Sequence, residues 1–76
     1  MTATVVGERF GAVVREHREA RGWSQELLAH RADLNRSYMG EIERAAAMPS
    51  LATAAKVALA LGVSLSALIS SCEVAR

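Results

Sequence analysis

The chain has 76 residues, 51% of them hydrophobic and only 4% aromatic, with a formal net charge of +1. It is long enough for one small domain, which buries only about 60–65% of the surface that it exposes when unfolded, and its many alanines and leucines favour helices over strands. Its single cysteine excludes an internal disulfide and its histidines lack metal-ligand spacing, so we expect no metal or cofactor and predict that a second subunit adds stability.

A first helix is predicted over residues 7–21, because four residues that suit a protein core recur there at the spacing of one helical face. They are Phe10, Val13, Val14 and His17. Gly22 ends this helix, and Ser24 is a good N-cap for a second helix whose inward face includes Leu28. Trp23, which precedes this cap, is predicted to lie in the core.

A third helix is predicted after a connection of about three residues. Asn35 is its N-cap, and the helix extends over residues 36–44 with Met39 and Ile42 facing inward. A turn this short sets the two helices at roughly 90–120° and leaves the third one projecting. Its outward face then consists of Arg36, Ser37, Gly40, Glu41 and Arg44.

Two further helices complete the predicted all-α fold of five short helices. Ser50 caps a fourth helix over residues 51–61, which is apolar nearly all round and is therefore expected to be central. Gly62 separates it from a fifth helix over about residues 64–73, capped by Ser64. An apolar patch that its own fold does not cover marks an association surface, and we predict that this last helix forms the interface of a dimer. The residues assigned to the interface are Val63, Leu65, Leu68, Ile69 and Cys72.

The stretch GWSQELLAHRADLNRSYMGEIERAAAMPSL resembles the helix-turn-helix core of the Cro and phage-repressor (Xre-type) class, and in particular its short restriction–modification controller proteins. The resemblance extends over about residues 18–68 and depends on the joint spacing of four segments. They are Ser24-Gln25, Arg36-Ser37-Tyr38, Ile42-Glu43-Arg44 and Pro49-Ser50-Leu51.

The resemblance implies one lambda-repressor-like domain over residues 1–76, with its helix-turn-helix over about residues 24–44. Such a domain binds the major groove of double-stranded operator DNA as a homodimer and regulates transcription. RNA polymerase is a further partner that the resemblance allows.

The resemblance also implies roles for individual side chains. The residues that contact DNA would be Gln25, Asn35, Arg36, Ser37, Tyr38, Glu41 and Arg44. Arg36 would bind a guanine through two hydrogen bonds, whereas Gln25 and Arg44 would bind phosphate groups. Arg18 and Glu43 match a structural ion pair of the family between the first and third helices.

Some of these residues have a second interpretation, and others depart from the family pattern. Tyr38 could pack against the second helix instead of DNA, and Glu41 could be a solvated charge instead of a reader of cytosine. Ala45 replaces the usual glycine after the Glu-Arg pair and enters a left-handed C-cap at greater cost. Ala47 replaces a basic residue and removes an expected phosphate contact. Asp33 stands where a glycine often makes the turn.

The charge pattern leaves a second functional hypothesis open. Between residues 25 and 44 the acidic residues outnumber the basic ones by one, so phosphate neutralisation supports DNA binding only weakly. The alternative is a protein-interaction or antitoxin-like module with the same fold. An enzyme is not expected, because the sequence offers no nucleophile–base pair, carboxylate pair or phosphate loop. It also has no apolar run of about 20 residues and no signal peptide, which predicts a cytoplasmic protein without a membrane partner.

Overall fold

The computed structural model describes residues 3–73, with side chains from residue 5 onward, and over this range it contains five α-helices and no strand. The helices are α1 (Ala3–Ala20), α2 (Gln25–Arg31), α3 (Arg36–Glu43), α4 (Leu51–Leu61) and α5 (Leu65–Cys72). The predicted all-α fold is therefore confirmed for the described residues. The first helix begins four residues before the predicted start at Gly7, because Val6 still packs against the core.

Four helices begin at the capping residues that the sequence predicts. In each case the side-chain oxygen accepts a hydrogen bond from the backbone N–H three residues further on, which satisfies one of the free donors of the first turn. The caps are Ser24, Asn35, Ser50 and Ser64, with donor–acceptor distances of 2.7–3.1 Å.

The core is formed by one face of each helix. Its largest fully buried side chains are Leu28, Met39, Ile42, Leu68, Val14, Val57 and Cys72. His17 is only half-buried, and its Nδ1 lies 3.3 Å from Nη1 of Arg21, so the prediction that it belongs to the core is wrong. Trp23 is also half-buried: it packs against the edge of the core, with the guanidinium of Arg31 4.6 Å from the centre of its ring.

Helix α4 is not the central helix that its apolar sequence predicts. Only one side of it is buried, and Leu51 and Leu59 are 74% and 82% exposed. These two residues and Ala55 recur at four-residue intervals and form an outward apolar stripe. The stripe is uncovered because α4 packs against α1, α2 and α5 on its other side.

Helix α5 contributes more to the subunit's own core than predicted. It packs chiefly on α1, and Leu68 and Cys72 are fully buried there, so neither of them is available to a second subunit. The thiol of Cys72 donates to the carbonyl oxygen of Leu68 at 3.3 Å, and burial raises the pKa of the Cys72 thiol. Val63, Leu65 and Ile69 are half-buried and remain partly accessible.

None of the helices within residues 3–73 is by itself long and apolar enough to cross a membrane. Taken together, α4 and α5 have the length and composition of a span, but they are bent by 104° at the break between them.

Helix α3 is attached to α1 by a close backbone approach and by a buried ion pair. A side chain at Gly11 would collide with the carbonyl groups of Ile42 and Glu43, so only glycine allows this approach. Arg18 and Glu43 form the predicted ion pair through two hydrogen bonds of 2.8 and 3.1 Å, and their side chains are only 11% and 2% exposed. Arg18 also donates to the carbonyl oxygen of Trp23 at 2.8 Å. Hydrogen bonding to Glu43 raises the pKa of Arg18 and keeps its guanidinium charged.

Both ends of α3 are marked by non-glycine residues with left-handed backbone conformations. Asp33 in the preceding turn has φ of 58°, and Ala45, which follows the C-cap residue Arg44, has φ of 61°. The helix therefore ends at Glu43 without continuing through Ala45, and the backbone N–H groups of Ala45 and Ala46 close the end on the carbonyls of Ile42 and Glu41. Alanine adopts this conformation at a cost of roughly 1–2 kcal/mol, which glycine avoids.

Ala45→Gly is expected to raise the free energy of unfolding by about 1 kcal/mol, because relief of the strain exceeds the added entropy of the unfolded chain. Urea denaturation measures the change. Ala46→Gly is the matched control, since Ala46 lies beside it without a positive φ, and it should lower stability by about 0.5 kcal/mol. Equal effects of the two substitutions would contradict the assigned strain.

Glu43→Gln is expected to lower the free energy of unfolding by about 3 kcal/mol, because it removes the hydrogen-bonded counter-charge of the buried Arg18 guanidinium and leaves only the exposed Glu19 carboxylate, 4.0 Å away. Arg15→Gln is the control: it breaks the exposed Arg15–Glu19 pair without touching Arg18, and a loss of no more than about 0.5 kcal/mol is expected. Comparable losses in urea denaturation would mean that the buried pair does not secure α3.

Candidate nucleic-acid interface

Helices α2 and α3 pack on each other and are joined by the turn over residues 32–35. The backbone N–H groups of Asp33 and Leu34 close the end of α2 on the carbonyls of His30 and Ala29, at 3.1 and 2.8 Å. Leu34 packs against the core and anchors the turn, and Asn35 then starts α3. This arrangement allows α3 to bury one side in the core and to expose the other side to solvent.

The two sides of α3 are clearly separated. Met39 and Ile42 are buried as predicted, at 0% and 1% exposure. Four of the five residues assigned to the outward side are exposed, namely Arg36, Ser37, Glu41 and Arg44. The fifth residue, Gly40, lies on this side too, but its expected exposure is wrong: Gly40 is buried, because the side chains of Arg44 and Gln25 cover it.

The two arginines of α3 keep their hydrogen-bond donors free for another molecule. Among the side chains of residues 5–73, neither Arg36 nor Arg44 has a hydrogen-bond or ion-pair partner. Arg36 is the first residue of α3, and Arg44 directly follows its last residue, so the two guanidinium groups lie at opposite ends of the exposed surface. A guanidinium group binds the O6 and N7 atoms of guanine, or a phosphate, through paired hydrogen bonds.

Asn35 and Tyr38 lie at the start of α3, and part of each side chain is already engaged in contacts within the protein. The side-chain oxygen of Asn35 accepts from the backbone N–H of Tyr38 at 2.7 Å, and a contact of Asn35 with a phosphate would use its amide nitrogen, which is the donor. Tyr38 is half-buried and packs against the core, which agrees with the interpretation that it packs sideways.

Gln25 has a structural partner that the sequence does not reveal. Its Nε2 donates to Oε1 of Glu43 at 3.0 Å, so the first residue of α2 is joined to the last residue of α3 and to the Arg18 ion pair. A carboxylate can only accept, which fixes the amide of Gln25 with its nitrogen toward Glu43. A contact between positions 18 residues apart leaves no local sequence signal.

The ion pair also changes the charge of the surface that the motif presents. Glu43 is neutralised by Arg18, which lies outside the helix-turn-helix segment. The exposed charges of the motif are then equal in number, three basic and three acidic, and not negative in balance as the sequence alone indicates. They are Arg31, Arg36 and Arg44, with Glu26, Asp33 and Glu41.

Other kinds of site find little support in the described part of the chain. Within residues 3–73 no group of three His, Cys, Asp or Glu residues could hold a metal ion. Two open depressions of about 250 and 150 Å³ flank Met48, and neither is lined by a residue of α3. The larger contains one carboxylate, that of Glu8, and Ala47 lies at its wall, while the smaller is almost entirely apolar.

Comparisons with known proteins agree with this geometry. The family model "Helix-turn-helix" matches residues 14–68. An immunity repressor protein of Bacillus phage phi105 is 44% identical over 64 residues, which are 84% of this chain, and the chain spans 42% of the length of that relative.

Two crystal structures are similar in both fold and sequence. The restriction-modification controller protein C.AhdI from Aeromonas hydrophila is 43% identical, with a TM-score of 0.78 over 80% of this chain and 92% of that chain. The clp gene regulator ClgR from C. glutamicum is 28% identical, with a TM-score of 0.82 over 88% and 87%. These matches confirm the lambda-repressor-like fold. The chain therefore belongs to the Xre/Cro-type helix-turn-helix family, a family of DNA-binding transcription regulators.

Proposed function

We propose that this chain is a sequence-specific transcription regulator of the restriction–modification controller type, which binds pseudo-palindromic operator DNA as a homodimer. The observation that carries the proposal is the unpaired, exposed guanidinium of Arg36 at the first position of α3. The N-terminal residues of a recognition helix are those that reach the base edges in the major groove. The similarity to a controller protein over 80% of the chain supports the more specific assignment.

The exposed side of α3 offers the groups that reading a DNA sequence requires. Arg36 would bind a guanine, Ser37 would contact a neighbouring base edge, and Glu41 could accept from a cytosine amino group. Gln25 and Arg44 would bind phosphates on either side and fix the position of the helix, with Asn35 and Tyr38 near the same backbone.

A second copy of the chain is the proposed partner of the apolar surface on α4 and α5. Leu51 and Leu59 are 74% and 82% exposed, so neither side chain belongs to the subunit's own core. Val63, Leu65 and Ile69 are half-buried and would extend the interface that the sequence assigns to α5. Pairing about a two-fold axis would place the two α3 helices about 34 Å apart, which is one turn of DNA.

The proposed regulator would act in the cytoplasm, where the operator DNA is. Dimers on adjacent operators could contact RNA polymerase and activate at low occupancy, then repress as the second operator fills. This change from activation to repression is inferred only from the resemblance to controller proteins.

One observation favours a protein-interaction module as a second candidate. The exposed charges of the helix-turn-helix are balanced, and Ala47 provides no phosphate contact, so affinity for nonspecific DNA should be low. Selection of bound fragments from genomic DNA, followed by mobility-shift titration at several salt concentrations, separates the two functions. Recovery of one recurring pseudo-palindrome supports the regulator, and recovery of none supports the module.

Arg36→Ala is expected to weaken binding to the selected operator by about 1–3 kcal/mol and to relax the preference at one base pair of each half-site. Lys56→Ala is the control, because it removes the same charge from an exposed position on α4. Fluorescence anisotropy with operator variants measures both effects. If the Arg36 variant bound every variant as the unchanged protein does, Arg36 would not read a base.

Leu59→Glu is expected to convert the dimer into a monomer, because a charge would replace the most exposed large apolar side chain of the stripe. Leu65→Glu tests the α5 part of the surface in the same way. Ala12→Glu is the matched control, since Ala12 is exposed on α1. Sedimentation equilibrium gives the masses, and a dimer that survives both leucine substitutions would place the interface elsewhere.

A further inference from the structure

Gly40 lies in the middle of α3, on the side that faces away from the core residues Met39 and Ile42. It is nevertheless buried, and the atoms that cover it belong to two flexible side chains. A β-carbon at this position would lie 3.0 Å from Nη1 of Arg44 and 3.6 Å from Oε1 of Gln25. The two side chains thus meet over a single α-carbon.

Arg44 reaches this point because of helix geometry. Side chains on a helix lean toward its N-terminus, so a residue covers the one four positions before it. A β-carbon at position 40 would come within 3.9 Å of the central guanidinium carbon and within 3.0 Å of one of its nitrogens. Glycine leaves the space in which the guanidinium lies against the helix and points toward the start of α2.

Gln25 is held at the same place from the opposite side. Its amide nitrogen donates to Glu43, which is itself fixed by the buried guanidinium of Arg18. Because that nitrogen faces Glu43, the atom of Gln25 that faces Gly40 and the Arg44 guanidinium is the carbonyl oxygen Oε1, which can only accept. Gln25 therefore bounds the space of the guanidinium where α2 begins and α3 ends, and Arg44 supplies the donors for a phosphate there.

On the basis of the proposed function, we propose that Gly40 is a positioning residue for Arg44, whose guanidinium binds a phosphate. The ligand is one phosphodiester group of the operator backbone. The missing side chain at position 40 allows the guanidinium to lie against the helix beside the carbonyl oxygen of Gln25, and a methyl group there would displace it. A phosphate contact held in a defined position fixes the register of α3 in the groove.

Gly40→Ala tests this role without disturbing the fold. The new methyl group meets only the mobile ends of Arg44 and Gln25, and alanine is the better helix former, so the Tm should not fall. Operator affinity should decrease about three- to tenfold, as expected when a charge-assisted hydrogen bond is weakened. The slope of log affinity against log salt concentration should become shallower by up to about one, as for Arg44→Ala.

A double-mutant cycle separates positioning from any general effect of the methyl group. In the Arg44→Ala background, Gly40→Ala should change operator affinity less than about twofold, because its target has been removed. Ser37→Ala provides the matched background, in which the full loss caused by Gly40→Ala should persist.

Three outcomes would overturn the inference: unchanged affinity in Gly40→Ala, an equal loss with and without Arg44, or a lower Tm. The first two would show that Gly40 does not act through Arg44, and the third would show that its neighbours cannot give way. In all three cases the variants are compared with an unchanged protein that binds its operator. If the unchanged protein selected no DNA, that result would contradict the proposed function itself.

Discussion

The buried ion pair between Arg18 and Glu43 is the interaction on which the orientation of the recognition helix depends. A charge pair with side chains 11% and 2% exposed is costly to bury, and it is stable here because two hydrogen bonds join the partners and each has a further polar neighbour. Arg18 also holds the backbone at Trp23, and Glu43 also holds Gln25. One pair therefore connects α1, the start of α2 and the end of α3.

This connection explains how so small a domain can present a rigid surface. The core holds α3 through Met39 and Ile42, which fixes its inward side, and the ion pair fixes its C-terminal end. The strained residue Ala45, two residues after Glu43, stops the helix there. The exposed side chains of α3 are thus displayed on a helix whose rotation and length are both determined by the rest of the fold.

The charge distribution of the domain favours sequence-specific contacts over nonspecific electrostatic attraction to DNA. Pairing inside the protein removes the charge of Glu43 and leaves the helix-turn-helix balanced, so long-range attraction to phosphates is weak. Under the proposed function, discrimination would depend on the few donors that are free, chiefly those of Arg36, and on the combination of two half-sites by the proposed dimer. The apolar stripe of Leu51 and Leu59 gives a physical reason for the proposed pairing, because a domain of this size buries too little surface to cover the stripe alone.

The sequence alone determined the local features of this protein: the caps Ser24 and Asn35, the inward pair Met39 and Ile42, and the exposed Arg36, since each depends on neighbours within one turn of helix. The Arg18–Glu43 pair was also predicted, but through resemblance to a family. Only the tertiary structure decided which apolar faces are covered. It placed Leu68 and Cys72 in the core and left Leu59 outside, because the packing of α5 on α1 is set by residues far apart in the chain. The burial of Gly40 and the bond from Gln25 to Glu43 were decided in the same way, since periodicity shows which side of a helix is apolar but not which side chains of another helix lie over it.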